Sequence, residues 1–117
     1  MKISAHTQIR FSNSISFLDK LLFTKHVGIM LKSGIPIAEA VDTIWDQSSN
    51  SYFRSVLVQI KKDLENGEML ERALSKYPKI FDTLYLNLIR IGEESGNLEE
   101  NLNYLTKQLE KEHEFRQ

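Results

Sequence analysis

The stretch RIGEESGNLEE, residues 90–100, sets two adjacent glutamates before a Ser-Gly pair and two more behind it. Clustered carboxylates serve as general acid and base or as oxygen ligands for a hard cation, or they mark the end of one helix and the start of the next. Glu93 and Glu94 are immediate neighbours, so on a helix they point about 100° apart and do not form a facing dyad. A second group, Glu39, Asp42 and Asp46, falls at i, i+3 and i+7 and shares one helical stripe. That stripe reads either as a solvated helix face or as an oxygen-only contribution to a calcium site. His6, His26 and His113 lie far apart, and none has a His or carboxylate partner at a ligand spacing. No nucleophile elbow, P-loop, dinucleotide-binding glycine fingerprint or EF-hand loop occurs. These observations argue against a conventional small-molecule enzyme.

The elements that would position these groups are all helical. Residues 1–16 mix Ser, Asn, Thr and Gln with isolated apolar residues and read as a flexible arm. From Phe17 a broad apolar face, including Leu18, Leu21, Leu22, Val27 and Ile29, predicts a largely buried first helix that stops at Ser33-Gly34. Pro36 starts a second helix, where its missing N–H does no harm, with Ile37, Ala40, Val41, Ile44 and Trp45 inward. Phe53, Val56, Leu57, Ile60 and Leu64 carry a third, ending at Asn66-Gly67. A short fourth holds Leu70, Ala73 and Leu74. Asp82 or Thr83 caps a fifth, whose inward side is predicted as Leu84, Leu88, Ile89 and Ile91 and which ends at Ser95-Gly96. The sixth runs from Leu98 towards Phe115 on one narrow seam of Leu98, Leu102, Leu105 and Leu109.

The fold class is therefore all-α: a six-helix, mostly antiparallel bundle with short Gly or Pro turns, over residues 17–117. The stretches LKSGIPIAEAV and LENGEMLERAL echo each other at an offset close to the ~34-residue tetratricopeptide period. The landmarks of that repeat and a third copy are missing, so both stretches read as one helix-stop, glycine, helix-start rule.

A chain of 117 residues suits one globular domain, and its formal charge of −1, with no Lys/Arg stripe, argues against nucleic acid. Charge is uneven: Lys2, Arg10, Lys20, Lys25 and Lys32 face only Asp19 in residues 1–35, whereas residues 63–100 are mainly acidic. One basic and one acidic surface follow. The absence of cysteine fits a reducing compartment, the cytoplasm in the simplest case. Neither a secretory signal nor an apolar run long enough to span a bilayer is seen.

Within RIGEESGNLEE, turn formation accounts for Gly96, Leu98, Glu99 and Glu100, since carboxylates favour a first helical turn. It does not account for Glu93, in an unfavourable last turn, or for Gly92, a poor helix former inside the fifth helix. Gly92 serves either a close helix approach or a ligand contact.

Phe23, MLKSGIPIAEAV, LENGEMLERAL, YPKIFDTLYLNLIRIGEESGNLEENL and LTKQLEK, in this order, resemble the F family of type II secretion and type IV pilus assembly, the inner-membrane platform proteins. The resemblance spans about Phe17 to Phe115, with Gly34, Pro36, Gly67, Gly92, Glu93, Ser95, Gly96 and Leu98 as its signature positions. It implies a non-enzymatic cytoplasmic six-helix domain of a bacterial or archaeal-type inner-membrane protein, ahead of a first transmembrane helix that lies beyond this sequence. It also implies a homodimer, no required cofactor, calcium near the dimer interface with Glu93 as ligand, and two classes of partner: the assembly ATPase and bitopic inner-membrane assembly proteins. The sequence departs from the pattern at Lys25-His26 in place of Arg-Gln, at Met69 in place of a small hydroxyl cap, and at Asp82 in place of Pro. The competing reading is a helix-turn-helix nucleic-acid binder, which needs a recognition helix rich in Arg, Lys, Asn or Gln. The second helix carries carboxylates there, and the fifth offers only Asn87 and Arg90.

Overall fold

The computed structural model describes residues 15–116, which form six α-helices and no strand. They are α1 (Phe17–Lys32), α2 (Ile37–Gln47), α3 (Ser51–Glu65), α4 (Leu70–Leu74), α5 (Thr83–Ser95) and α6 (Leu98–Arg116). Each helix packs on the next in sequence, and α1 closes the bundle against α6. The expected arm falls outside the described residues except at its end, where Ser16 and Asp19 form a reciprocal capping box on α1.

Local chemistry sets the helix ends. Asn50 caps α3 by accepting from the Phe53 N–H at 2.8 Å, and Asp82 caps α5 by accepting from the Tyr85 N–H at 2.9 Å. The two echoing stretches make the same turn. Gly34 and Gly67 both have positive φ, and the residue after each donates its N–H five residues back, Ile35 to Met30 O and Glu68 to Asp63 O. Asn97 repeats the bond to Gly92 O at 2.8 Å after Gly96. The echo is thus one helix-ending device used three times, with glycine supplying the left-handed conformation at low steric cost.

At the centre, Phe23 of α1 meets Phe53 and Phe81 with ring centroids 6.1 and 5.7 Å apart, and Phe81 meets Tyr85 at 5.1 Å. Such tilted and edge contacts suit the ring quadrupole. Tyr85 is buried, yet its hydroxyl is satisfied: Thr24 donates to Lys20 O at 2.8 Å, so the Tyr85 hydroxyl donates to Thr24 Oγ1 at 2.7 Å. Burial pushes the Tyr85 phenol well up, and it stays protonated. The α6 seam holds as read, with Leu102, Leu105 and Leu109 buried and Leu98 half-buried.

Two expectations are corrected. On α5 the inward residues are Tyr85, Ile89 and Gly92, while Leu84 and Ile91 are 65% and 47% exposed. The buried stripe extends back to Phe81, so the aromatic cluster sets the rotation of α5 and turns Leu84 and Ile91 outward. α1 is only half sunk into the core: it buries Leu21, Phe23, Thr24 and Val27 but exposes Leu18, Leu22 and Ile29. Helices α2 and α6 cover its other side, and no described element covers these three.

The chain between α4 and α5 is tied to α3 by Lys76, whose ammonium lies 2.7 Å from Asp63 Oδ2 and 3.3 Å from Glu68. The Asp63 side chain is only 7% exposed and also accepts from the Gln59 amide. The Lys76 ammonium, with help from Gln59 and against burial, holds the Asp63 carboxyl below the usual carboxylate range. A lowered folded pKa stabilises the fold above the unfolded value of about 4, and that stability is lost as pH falls through the folded value. Asp63→Asn should therefore lower the thermal midpoint at neutral pH and flatten its fall below about pH 4. A variant midpoint that drops with acid as steeply as the wild type's contradicts this linkage.

Candidate functional site

The three glycine turns meet at one end of the bundle. There they line a groove of about 710 Å³ whose walls are Leu31, Pro36 and Ile37 from the first turn, Leu64, Glu68 and Met69 from the second, and Gly92, Glu93, Gly96 and Leu98 from the third. The groove gathers Pro36, Gly92, Glu93, Gly96 and Leu98 from the signature positions. Gly34, Gly67 and Ser95 act through the turns themselves. Ser95 donates its hydroxyl to Ile91 O at 2.7 Å, back along its own helix.

Glu93 has a defined task. Its carboxylate accepts from the Leu70 N–H at 2.5 Å and the Glu71 N–H at 2.9 Å, the first two residues of α4. Met69 at the N-cap makes no side-chain hydrogen bond, so the cap comes from α5 instead of from the residue before the helix. A carboxylate at a helix N-terminus satisfies orphan donors and meets the positive end of the dipole. Glu93 thus supplies the cap that the Met69 side chain does not.

Gly92 answers to packing. A Cβ placed there would lie 2.8 Å from Leu98 Cα and 3.2 Å from the Asn101 side-chain amide nitrogen. The start of α6 therefore presses on the last turns of α5 closer than any side chain allows. Asn101 locks the contact by donating its amide to Leu88 O at 2.8 Å. Sequence reasoning passed over Asn101, because nothing local marks a mid-helix asparagine as a partner for a carbonyl of the preceding helix.

The paired carboxylates diverge as expected. Glu94 lies 3.7 Å from Arg90 on the exposed side of α5 while Glu93 turns inward. Glu39, Asp42 and Asp46 are exposed on α2, where Asp42 pairs with Lys61 at 2.8 Å. Lys25, at a departure from the family pattern, meets Glu110 of α6 at 3.3 Å. Among the described residues no three His, Asp or Glu side chains are grouped to hold a metal ion, and both oxygens of Glu93 are engaged by N–H donors.

Replacing Gly92 should separate the two explanations left open for it. Helix propensity alone would make Gly92→Ala stabilising by up to ~1 kcal/mol, whereas the Leu98 contact predicts a loss of about 1–3 kcal/mol. Denaturant unfolding decides, and a gain in stability removes the close-approach account. Glu93→Ala strands two half-buried N–H groups and should cost about 1–3 kcal/mol, with Glu93→Gln between it and the wild type. Hydrogen exchange at Leu70 and Glu71 should quicken in step. Unchanged exchange there would show that α4 does not depend on Glu93.

Among the described residues no helix is long and apolar enough to cross a membrane. Residues 23–117 match the family model described as type II secretion system (T2SS), protein F. The chain is 41% identical over 98 residues to the type IV pilus assembly protein PilC of Thermus thermophilus, covering 84% of this chain and 24% of that protein. It is 38% identical over 93 residues to PilC of Myxococcus xanthus, covering 80% and 22%. Against the type II secretion system protein F of Vibrio cholerae it is 30% identical over 106 residues, covering 91% and 26%. It thus spans about a quarter of the length of these relatives. With the matched region running through the aromatic core, all three glycine turns and the Gly92-Glu93 contacts, the chain belongs to the type II secretion system protein F family, which comprises non-enzymatic platform proteins.

Proposed function

We propose that this chain is a cytoplasmic docking domain of an inner-membrane platform protein in a type II secretion, type IV pilus or competence pilus machine. In this reading it engages the assembly ATPase and the bitopic inner-membrane assembly proteins. It passes conformational change from the motor to the platform through helix contacts and performs no covalent chemistry. The family match over residues 23–117 carries this reading. The turn end of the bundle supports it, because the Gly92 contact, the Glu93 cap and the Asn101 bond tie α4, α5 and α6 together there into one contact surface.

Deleting the domain from a full-length platform protein that carries it should leave membrane insertion intact and abolish co-purification of the ATPase. Retention of the ATPase at wild-type level overturns the docking role. Charge reversal at Lys20, Lys25 and Lys32, and separately at Glu94, Glu99 and Glu100, assigns the contact to one surface. The domain is also expected to form a homodimer, which a monomeric sedimentation profile would contradict. Any calcium bound through Glu93 takes that carboxylate from α4. Calorimetric titration of calcium that shows no heat above dilution removes the ion from this reading.

A further inference from the structure

The turns account for the residues of the groove at the three-turn end one by one, but not for the joining of an apolar floor to carboxylates in one surface. Its apolar surface comes from Leu31, Ile37, Leu64, Met69 and Leu98, and its charged lining is Glu68, Glu93, Glu99 and Glu100, with no Lys, Arg or His. Glu93 is consumed by α4, and Glu68 lies 3.3 Å from Lys76. Glu99 and Glu100 are exposed and make no ion pair among the described residues. Their place in the first turn of α6 suits the helix dipole. The dipole does not call for an apolar floor beneath them; the nearby cations lie outside this groove, Lys76 and Arg72 on Glu68, and Lys25, Lys32 and Lys107 in the neighbouring groove that Glu99 and Glu100 also line.

Met69 is the clearest sign of use. N-cap positions favour Ser, Thr, Asp or Asn, yet here the position holds a methionine that is 53% exposed at the edge of the groove. Since Glu93 caps α4 from another helix, position 69 is released from capping and offers a flexible, polarisable side chain to solvent. Methionine at such a place adapts to apolar side chains of differing shape.

We infer that this groove docks a basic amphipathic segment of a partner protein, its apolar side chains on Met69 and the Leu31–Leu98 floor and its Lys or Arg residues on Glu99 and Glu100. The inference rests on the docking-domain reading and gives it a surface and a partner chemistry. Charge complementarity selects the occupant: a rim of carboxylates rejects acidic segments and phosphate-bearing ligands and accepts cations. A second copy of the chain, whose exposed α1 face carries Leu22, Lys25, Ile29 and Lys32, is the competing occupant, and the experiment separates the two.

The probe is a fluorescent helical peptide of about five turns with Leu on one face and Lys on the other. It is compared with a Leu/Glu peptide and a Ser/Lys peptide of the same spacing. The 117-residue chain should bind the Leu/Lys peptide alone, with amide shifts concentrated at Met69, Leu70, Leu98 and Glu99. Glu99→Gln with Glu100→Gln should weaken binding about fivefold to tenfold at low salt. Glu39→Gln with Asp46→Asn on α2 should leave it unchanged, and every variant should remain folded at the titration temperature, its midpoint lowered only by the loss of first-turn carboxylates. Equal binding of either control peptide, no binding of the Leu/Lys peptide, or shifts mapping elsewhere overturns the inference. So does a wild-type dimer that the Glu99/Glu100 variant dissociates, since the second copy is then the occupant. Placed in a full-length platform protein, the same double variant should lose the partner that domain deletion loses. If deletion loses the partner and the double variant keeps it, the groove assignment falls and the docking domain stands; if deletion loses nothing, both fall.

Discussion

The close approach of α6 to α5 at Gly92 is the constraint on which the turn end of the bundle depends. Where a Cβ would stand 2.8 Å from Leu98 Cα, the two helix backbones are in direct contact, and the Gly96 turn between them spans only a few residues. That contact fixes where α5 ends and so where Glu93 points. Glu93 in turn holds the first N–H groups of α4, and α4 carries Leu70, Ala73 and Leu74 into the core. One glycine thus governs the placement of three helices, through one steric and one electrostatic contact in series.

Helix α4 shows why such a chain of contacts is needed. Five residues make a little over one turn, far short of the roughly 12 to 15 at which an isolated helix becomes even marginal. It forms because its apolar side is buried, its N-terminus is held by Glu93, and the segment after it is fastened to α3 by Lys76 on Asp63 and Glu68. The Lys76 pair is half-exposed on the lysine side, so its larger effect is to position the segment, as exposed pairs add little stability.

Much of this was legible in the sequence, and the failures have particular causes. Gly34, Gly67 and Gly96 announced three helix ends because the left-handed turn conformation is nearly a glycine monopoly, and the leucine spacing of α6 admitted a single face. The rotation of α5 was misread because Leu84 and Ile91 on one side compete with Tyr85, Ile89 and Gly92 on the other, and counting aliphatic residues favours the wrong side. What decides is tertiary: Phe23 and Phe81 offer a place for an aromatic ring, and Thr24 offers an acceptor for its hydroxyl. The task of Glu93 was hidden for the same reason. A cap supplied from 23 residues away leaves no local pattern, and its only traces were an unsuitable residue at the N-cap and a glutamate in an unfavourable last turn.

Those traces belong to a division of labour that connects stability to the surface. A serine at position 69 would offer an acceptor to the second or third N–H of α4 and would leave the first, that of Leu70, to Glu93. With methionine there, the carboxylate alone holds both N–H groups and the rim gains an apolar, adaptable side chain. Opening of α4, the shortest helix, would release Met69 and Leu70 from the groove wall together and remove the partner of Glu93 on α5. Local stability of α4 and occupancy of the groove are therefore thermodynamically linked, since whatever binds the formed groove disfavours the opened helix. The same linkage runs through Gly92 to the start of α6, so a ligand seated on Leu98, Glu99 and Glu100 would stiffen the junction between the last two helices as well as α4.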